Sequence, residues 1–232
     1  MDFVSSRDPR AEAAKALEGV LGTHQGTPVL LLVSGGSAMS LLDAVDSRVL
    51  GPHLTLTVLD ERYPLDSASS NFAALERTNF YAQCVGARVV IMKQSFARDF
   101  SSYAQTFAAM LHAWRVQYPG GVVIATLGVG SDGHTAGIFP DVYRVIDPDD
   151  AWVSRYVVPP EINPFMYRVT VSRLFLEQEV DIGICYVSGQ DKYDVLHTLQ
   201  RIPPPPTTLP AHTLQKMKKV IVFTDEIYSP KK

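Results

Sequence analysis

Short apolar runs of strand length recur along this chain, separated by helical stretches. That alternation restricts the fold more than any other feature. PVLLLV (28–33), LTLTVL (54–59), ARVVIM (87–92), VVIATL (122–127), VDIGICYVS (180–188) and KVIVFT (219–224) are the principal runs. Near-continuous apolar runs suit strands buried on both faces, as in parallel sheets covered by helices. Helical patterns lie between them, at 11–21, 38–45, 71–83, 100–118 and 191–200. Ser69 or Ser70 is placed to cap the third of these. GHTAGIF (133–139) is expected to begin a short helix, and LPAHTLQK (209–216) to form a helical turn. WVSRYVV (152–158) and YRVTVS (167–172) are further strand candidates, and residues 60–70 read as a polar loop. The expected fold class is α/β, a mainly parallel sheet with helices on both faces. Residues 1–232 read as a single domain, with PPPP (203–206) as a stiff extended loop and Lys231-Lys232 as a solvated tail.

Composition narrows the function classes. Of 232 residues, 46% are hydrophobic and 19% charged, which suits a globular chain with a sizeable core. The net charge of -3 gives no electrostatic footprint for nucleic acid, but leaves room for a local anion pocket. Cys84 and Cys185 cannot alone build a disulfide framework or a thiolate metal site. The first residues lack a basic region followed by an apolar core, and no apolar run approaches the ~20 residues that span a bilayer. A cytoplasmic location, without a membrane partner, is the expectation.

Four constellations carry candidate chemistry. VSGGSAM (33–39) places Ser34, Gly35, Gly36 and Ser37 between a strand and a helix, where backbone N–H groups can approach an anion. It is neither a dinucleotide fingerprint nor a Walker loop. LDERY (59–63) sets Asp60, Glu61 and Arg62 at the carboxyl end of a strand, where open parallel sheets bind ligands, and Asn71 follows. GVGSDGHTAGIFP (128–140) presents Asp132 and His134 among glycines just after another strand. Histidine suits general-base work near neutral pH. The Asp–His spacing, with no Cys or third His beside it, does not make a metal site. Arg168 in YRVTVS and Lys192 in SGQDKYDVL add a donor fork and a compact cation, together adequate for a phosphate dianion.

Taken together, these segments resemble the 6-phosphogluconolactonase family. GVGSDGHTAGIFP is similar to its GxGxDGHTASLFP signature, LDERY with the later SSN to its DER loop, and VSGGS to its phosphate loop. YRVTVS resembles its R-x-T segment, VSGQDKYDVL its G-x-x-K segment, and LPAHTLQ also fits. The pieces stand in family order across about residues 30–224. The resemblance implies a Rossmann-like fold shared with sugar-phosphate isomerases and CoA transferases, with no cofactor. It implies hydrolysis of 6-phospho-D-glucono-1,5-lactone to 6-phosphogluconate in the oxidative pentose phosphate pathway, by a monomer or homodimer. In that reading His134 activates water, Asp132 orients His134 or holds the sugar, and Arg62 steadies charge on the lactone oxygen. Gly36, Ser37, Arg168 and Lys192 receive the 6-phosphate, with Ser34 and Gly35 in the same loop, while Asp60 and Asn71 support the DER loop.

The chain departs from the family pattern in places. GGSAM stands where GGSTP is common, Gly137 where Ser is common, and Val169 and Ser172 within a segment that often reads R-x-T-L-T. Related alternatives are a glucosamine-6-phosphate deaminase or similar isomerase, and a sugar-phosphate-binding regulator without catalysis. The deaminases usually read DEY where this chain has DER, and continue as IAFNEP where it has TAGIFP.

Overall fold

The computed structural model describes residues 1–63, 68–94, 99–140, 144–145, 151–161, 164–201 and 204–226. Part of the expected 60–70 loop, Pro203 and the Lys231-Lys232 tail lie outside them.

A seven-stranded sheet forms the centre, every adjacent pair parallel. Its strands are β1 (Asp2–Ser5), β2 (Val29–Val33), β3 (Leu54–Val58), β5 (Val90–Ile91), β6 (Val122–Leu127), β10 (Ile182–Val187) and β11 (Val220–Thr224). Their order is β1-β11-β10-β6-β2-β3-β5. The continuous apolar runs follow from this placement. Val29, Leu31 and Val33 of β2 enter one core with Ala13, Leu17 and Leu21 of α1 (Pro9–Thr23). Leu30 and Leu32 enter the other with Phe107 and Leu111 of α4 (Phe100–Gln117). A period of two with both faces covered favours apolar residues at successive positions, as in β2.

Several expectations are corrected. The helix expected at 38–45 is a 3₁₀ helix, Gly36–Ala44, in which the Ser40 hydroxyl bonds the Ser37 carbonyl three residues back. The helix expected at 71–83 is two: α2 (Asn71–Glu76) and α3 (Asn79–Gly86). Thr78 breaks it by adopting extended backbone and accepting a bond from the Tyr81 amide, so that it caps the second helix. The strand expected over 87–92 shrinks to two residues. Residues 133–139 are not helical. Gly133 and Ala136 have φ of 84° and 50°, and Thr135 and Ile138 pair across a tight turn instead. Strand β1 and helix α5 (Arg173–Gln178), capped by Ser172, carry no recognised periodicity in the sequence.

The largest addition is a second, antiparallel sheet. It comprises β4 (Asp60–Tyr63), β7 (Arg144–Val145), β8 (Val153–Val157) and β9 (Tyr167–Val171), in the order β4-β9-β8-β7. Asp60-Glu61-Arg62 is therefore strand, not loop. The chain leaves the parallel sheet after β3 and crosses directly into β4, with Leu59 accepting from the Val171 amide. Alternation then separates the motif: Asp60 and Arg62 share one face, and Glu61 takes the other.

Glu61 is completely buried. Its Oε1 accepts from the Asn71 and Arg62 amides at 2.7 and 2.8 Å, and its Oε2 from the Ser70 hydroxyl and Phe72 amide at 2.8 and 2.9 Å. One carboxylate thus fastens β4 to the start of α2, while Ser70 caps that helix from the Ala73 amide. Burial pushes the Glu61 carboxyl upward; its four donors oppose this without cancelling it, so its pKa stays above the usual value.

Glu61→Gln keeps the shape but presents an NH₂ to donors. We expect it to lower unfolding free energy by about 1–3 kcal/mol, read from urea denaturation. Because the folded pKa is raised, the native state holds the Glu61 proton more tightly than the unfolded chain. The Glu61 contribution is therefore full below the unfolded value of about 4.3 and diminishes as pH rises through the folded value. The gap between the two proteins should narrow in that direction; a gap that widens would contradict the assignment.

Candidate active site

The carboxyl ends of β2, β3, β6 and β10 open onto one cavity of about 240 Å³. Ser34, Gly35, Gly36, Ser37, Asp60, Arg62, Asn71, His134, Arg168 and Lys192 line it; of the residues singled out in the sequence, Asp132 and Glu61 do not. This is the edge where open α/β sheets hold ligands. Ser34 follows β2, with its amide bonded to Thr126 Oγ1 at 3.1 Å. Gly36 starts the 3₁₀ helix at φ 63°, and no side chain caps that start. Its first amides thus have no side-chain cap.

His134 is placed by its own loop. Nδ1 lies 2.5 Å from Asp132 Oδ1, which also accepts from the His134 amide at 3.1 Å. The Gly130 amide bonds the His134 carbonyl at 2.8 Å. A Cβ at Gly130 would stand 2.1 Å from His134 Nδ1, so the ring occupies space that only glycine leaves open. On another side the imidazole stacks on Phe139, with ring centroids 4.9 Å apart. The LPAHTLQ segment acts as a buttress: the Ala211 amide bonds the Gly133 carbonyl at 2.9 Å, and Leu209 packs over Gly133. Burial pushes the Asp132 carboxyl up, but its bonds to His134 and the imidazole charge outweigh this, and the net shift is down. Asp132 therefore faces His134 rather than the cavity wall.

The cations come from three elements. Arg62 on β4 and Arg168 on β9 are directly opposed across the antiparallel pair, so both project from one face. Arg168 is 5% exposed, and its Nε and Nη1 have no hydrogen-bond partner among the described residues. Asp60 lies 3.7 Å from Nη1, and Phe139 lies under the guanidinium at 5.5 Å. Burial pushes the Arg168 pKa down, the Asp60 charge opposes this, and Arg62 reinforces it, leaving a net lowering. Arg62 donates through Nη1 to the Ser69 carbonyl. Lys192 closes a 3₁₀ turn (Gln190–Lys192) and pairs with Asp191 at 2.8 Å. That turn is anchored by Asp225, which accepts from the Ser188 hydroxyl at 2.7 Å and the Gly189 amide at 3.1 Å. Asn71 donates to the Asp60 carbonyl at 3.0 Å, tying α2 to the cavity floor.

Gly128, Val129, Gly130, Ala38 and Ala136 also line the cavity. The glycines of this strand-end turn are legible in the sequence as sites of close packing, whereas Ala38, Val129 and Ala136 are apolar residues that carry no chemical signal. The Gly137 departure has a steric reason. A Cβ there would meet Thr170 Cβ at 2.9 Å and Asp60 Cβ at 3.1 Å, and the Gly137 amide bonds Thr170 Oγ1 at 3.0 Å. The loop carrying His134 thereby rests directly on the strands carrying the arginines. Ala38 and Met39, which replace the family's Thr-Pro, are buried, Met39 in the α1-side core.

Comparison with known proteins agrees with this arrangement. Residues 8–223 match the family described as glucosamine-6-phosphate isomerases/6-phosphogluconolactonase. The chain is 30% identical over 195 residues to a 6-phosphogluconolactonase of Pseudomonas aeruginosa, covering 83% of this chain and 79% of the relative. It is 27% identical over 174 residues to one from Mesorhizobium japonicum, covering 73% and 70%. The structure of 6-phosphogluconolactonase from Plasmodium vivax superposes with a TM-score of 0.78 at 17% identity, over 98% of this chain and 91% of that one. A monomeric glucosamine-6-phosphate deaminase superposes with 0.74 at 16% identity, over 97% of each. At such identities the superpositions establish the shared fold, a mostly parallel sheet flanked by helices. The length of the sequence match places the chain in the glucosamine-6-phosphate isomerase/6-phosphogluconolactonase family.

Proposed function

We propose that the chain hydrolyses 6-phospho-D-glucono-1,5-lactone to 6-phospho-D-gluconate, with His134 as the general base. The observation that carries this reading is one cavity in which an aspartate-held imidazole shares the walls with buried guanidinium donors that lack hydrogen-bond partners among the described residues. Relatives named 6-phosphogluconolactonase support the same reaction.

The chemistry follows from the geometry. Asp132 beside Nδ1 selects the tautomer with the proton on that atom, which leaves the Nε2 lone pair for a water proton. Water attacks the lactone carbonyl as Nε2 takes its proton, and charge develops on the carbonyl oxygen. Arg62, on the cavity wall, stabilises that charge. The tetrahedral carbon then expels the ring oxygen, and the imidazolium returns the proton to it. The 6-phosphate is received by the amides and hydroxyl of Gly36 and Ser37 with Arg168 and Lys192, and fixes the ring against the base. Phosphate binding thus supplies orientation at a distance from the reacting carbon.

Two outcomes check this. His134→Ala should lower turnover of freshly generated lactone by about 10²–10⁴-fold after subtraction of spontaneous hydrolysis, while 6-phosphogluconate still binds. Equal turnover in both proteins would remove the base, and ammonia release from glucosamine 6-phosphate would redirect the reading to deamination. Arg168→Ala should weaken 6-phosphogluconate binding roughly 10–100-fold by calorimetry, the effect of losing charge-assisted hydrogen bonds. Unchanged affinity would take Arg168 out of the phosphate pocket.

A further inference from the structure

We infer that Phe165 is a positioning residue for Arg62, acting through the face of its ring; the inference rests on the lactonase reading for its kinetic consequence. Phe165 stands between β8 and β9, three residues before Arg168. Its ring lies under the Arg62 guanidinium, 4.5 Å from centroid to Cζ, a nearer approach than Phe139 makes to Arg168. Half-buried, it belongs to neither hydrophobic cluster among the described residues.

Arg62 needs such a support. Its Nη1 donates to the Ser69 carbonyl, and its Nε is buried without a hydrogen-bond partner among the described residues. Arg168 sits opposite across the strand pair, and like charges so placed repel. A carboxylate beside Arg62 would oppose that repulsion but would also cancel the charge the cavity offers. An aromatic face attracts the cation through its quadrupole and leaves the net charge intact. It also restricts a long side chain to one plane, so that a planar fork meets developing charge without reorganising. The β8–β9 segment thus supplies both Arg168 and the ring that holds its neighbour.

The test separates ring from bulk. Phe165→Leu should reduce kcat for the lactone about three- to tenfold, in keeping with a partly desolvated cation–π contact, with KM and thermal stability near those of the unaltered chain. Phe165→Trp should retain kcat. In an Arg62→Gln background, which leaves no cation over the ring, Phe165→Leu should add little, because the partner it positions is gone. Independently of turnover, the Arg62 side-chain NMR resonances should carry a ring-current shift that Phe165→Trp keeps and Phe165→Leu removes. An active Phe165→Leu with unaltered kcat, or additive effects in the double variant, would overturn the inference. So would the absence of a ring-current shift in the unaltered chain. Lack of lactone turnover in the unaltered chain would count against the lactonase reading alone, since the NMR outcome still decides the Arg62–Phe165 contact.

Discussion

The pairing of β4 with β9 is the constraint on which the site depends. In this register Arg62 faces Arg168 and Asp60 faces Thr170, so the four side chains share one surface. Glu61, one residue out of phase, points to the other side and fastens α2. A one-residue slip would exchange these faces, burying Arg62 in the scaffold and aiming Glu61 at the cavity. The Glu61 bonds therefore do more than cap a helix. They hold the register in which cations, and not a second carboxylate, face the ligand.

The remaining walls are set against that surface by close approach rather than by further charge. Gly137 brings the loop of residues 128–140 down onto Asp60 and Thr170, where a side chain would hold it off. At the other end of the same loop, Gly130 admits the imidazole itself. Phe139, two residues past Gly137, stacks on His134 and lies under Arg168. His134 and Arg168 are thus referenced to one buried ring. This makes the distance between them a property of packing, which is dense and resists deformation.

The sequence makes the parallel sheet legible because burial on both faces writes itself as consecutive apolar residues, as in Val29–Val33. It hides β4 because that strand's inward face is a polar cavity, so Asp-Glu-Arg reads as loop. The residue types of the site are legible, and so is the order of their motifs. The roles are less so: Asp132, open between orienting the base and holding sugar, turns to His134. The division of Asp60 and Arg62 from Glu61 needs the strand period. Phe165 leaves no signal, since an aromatic in a connecting segment does not announce the guanidinium that its ring will face. Thr78 illustrates the same limit in the scaffold, where a helical pattern runs through a residue whose local hydrogen bond stops it.

The arginines also explain why the cavity is built so rigidly. Two opposed guanidinium groups repel, and Arg168, nearly fully buried, has donors without a hydrogen-bond partner among the described residues. Both terms work against folding. Asp60, at 3.7 Å, offsets part of the charge without satisfying the donors. A tighter pairing would stabilise the fold and occupy the guanidinium N–H groups. The aromatic faces under each guanidinium resolve this conflict, because they favour the cation without competing for its N–H groups. The cost of holding such a site open falls on the structure around it: the four-donor cage of Glu61, the Gly137–Thr170 contact and the Asp225 anchor of the Lys192 turn. Each lies just behind the cavity wall, where it can oppose the repulsion without neutralising it.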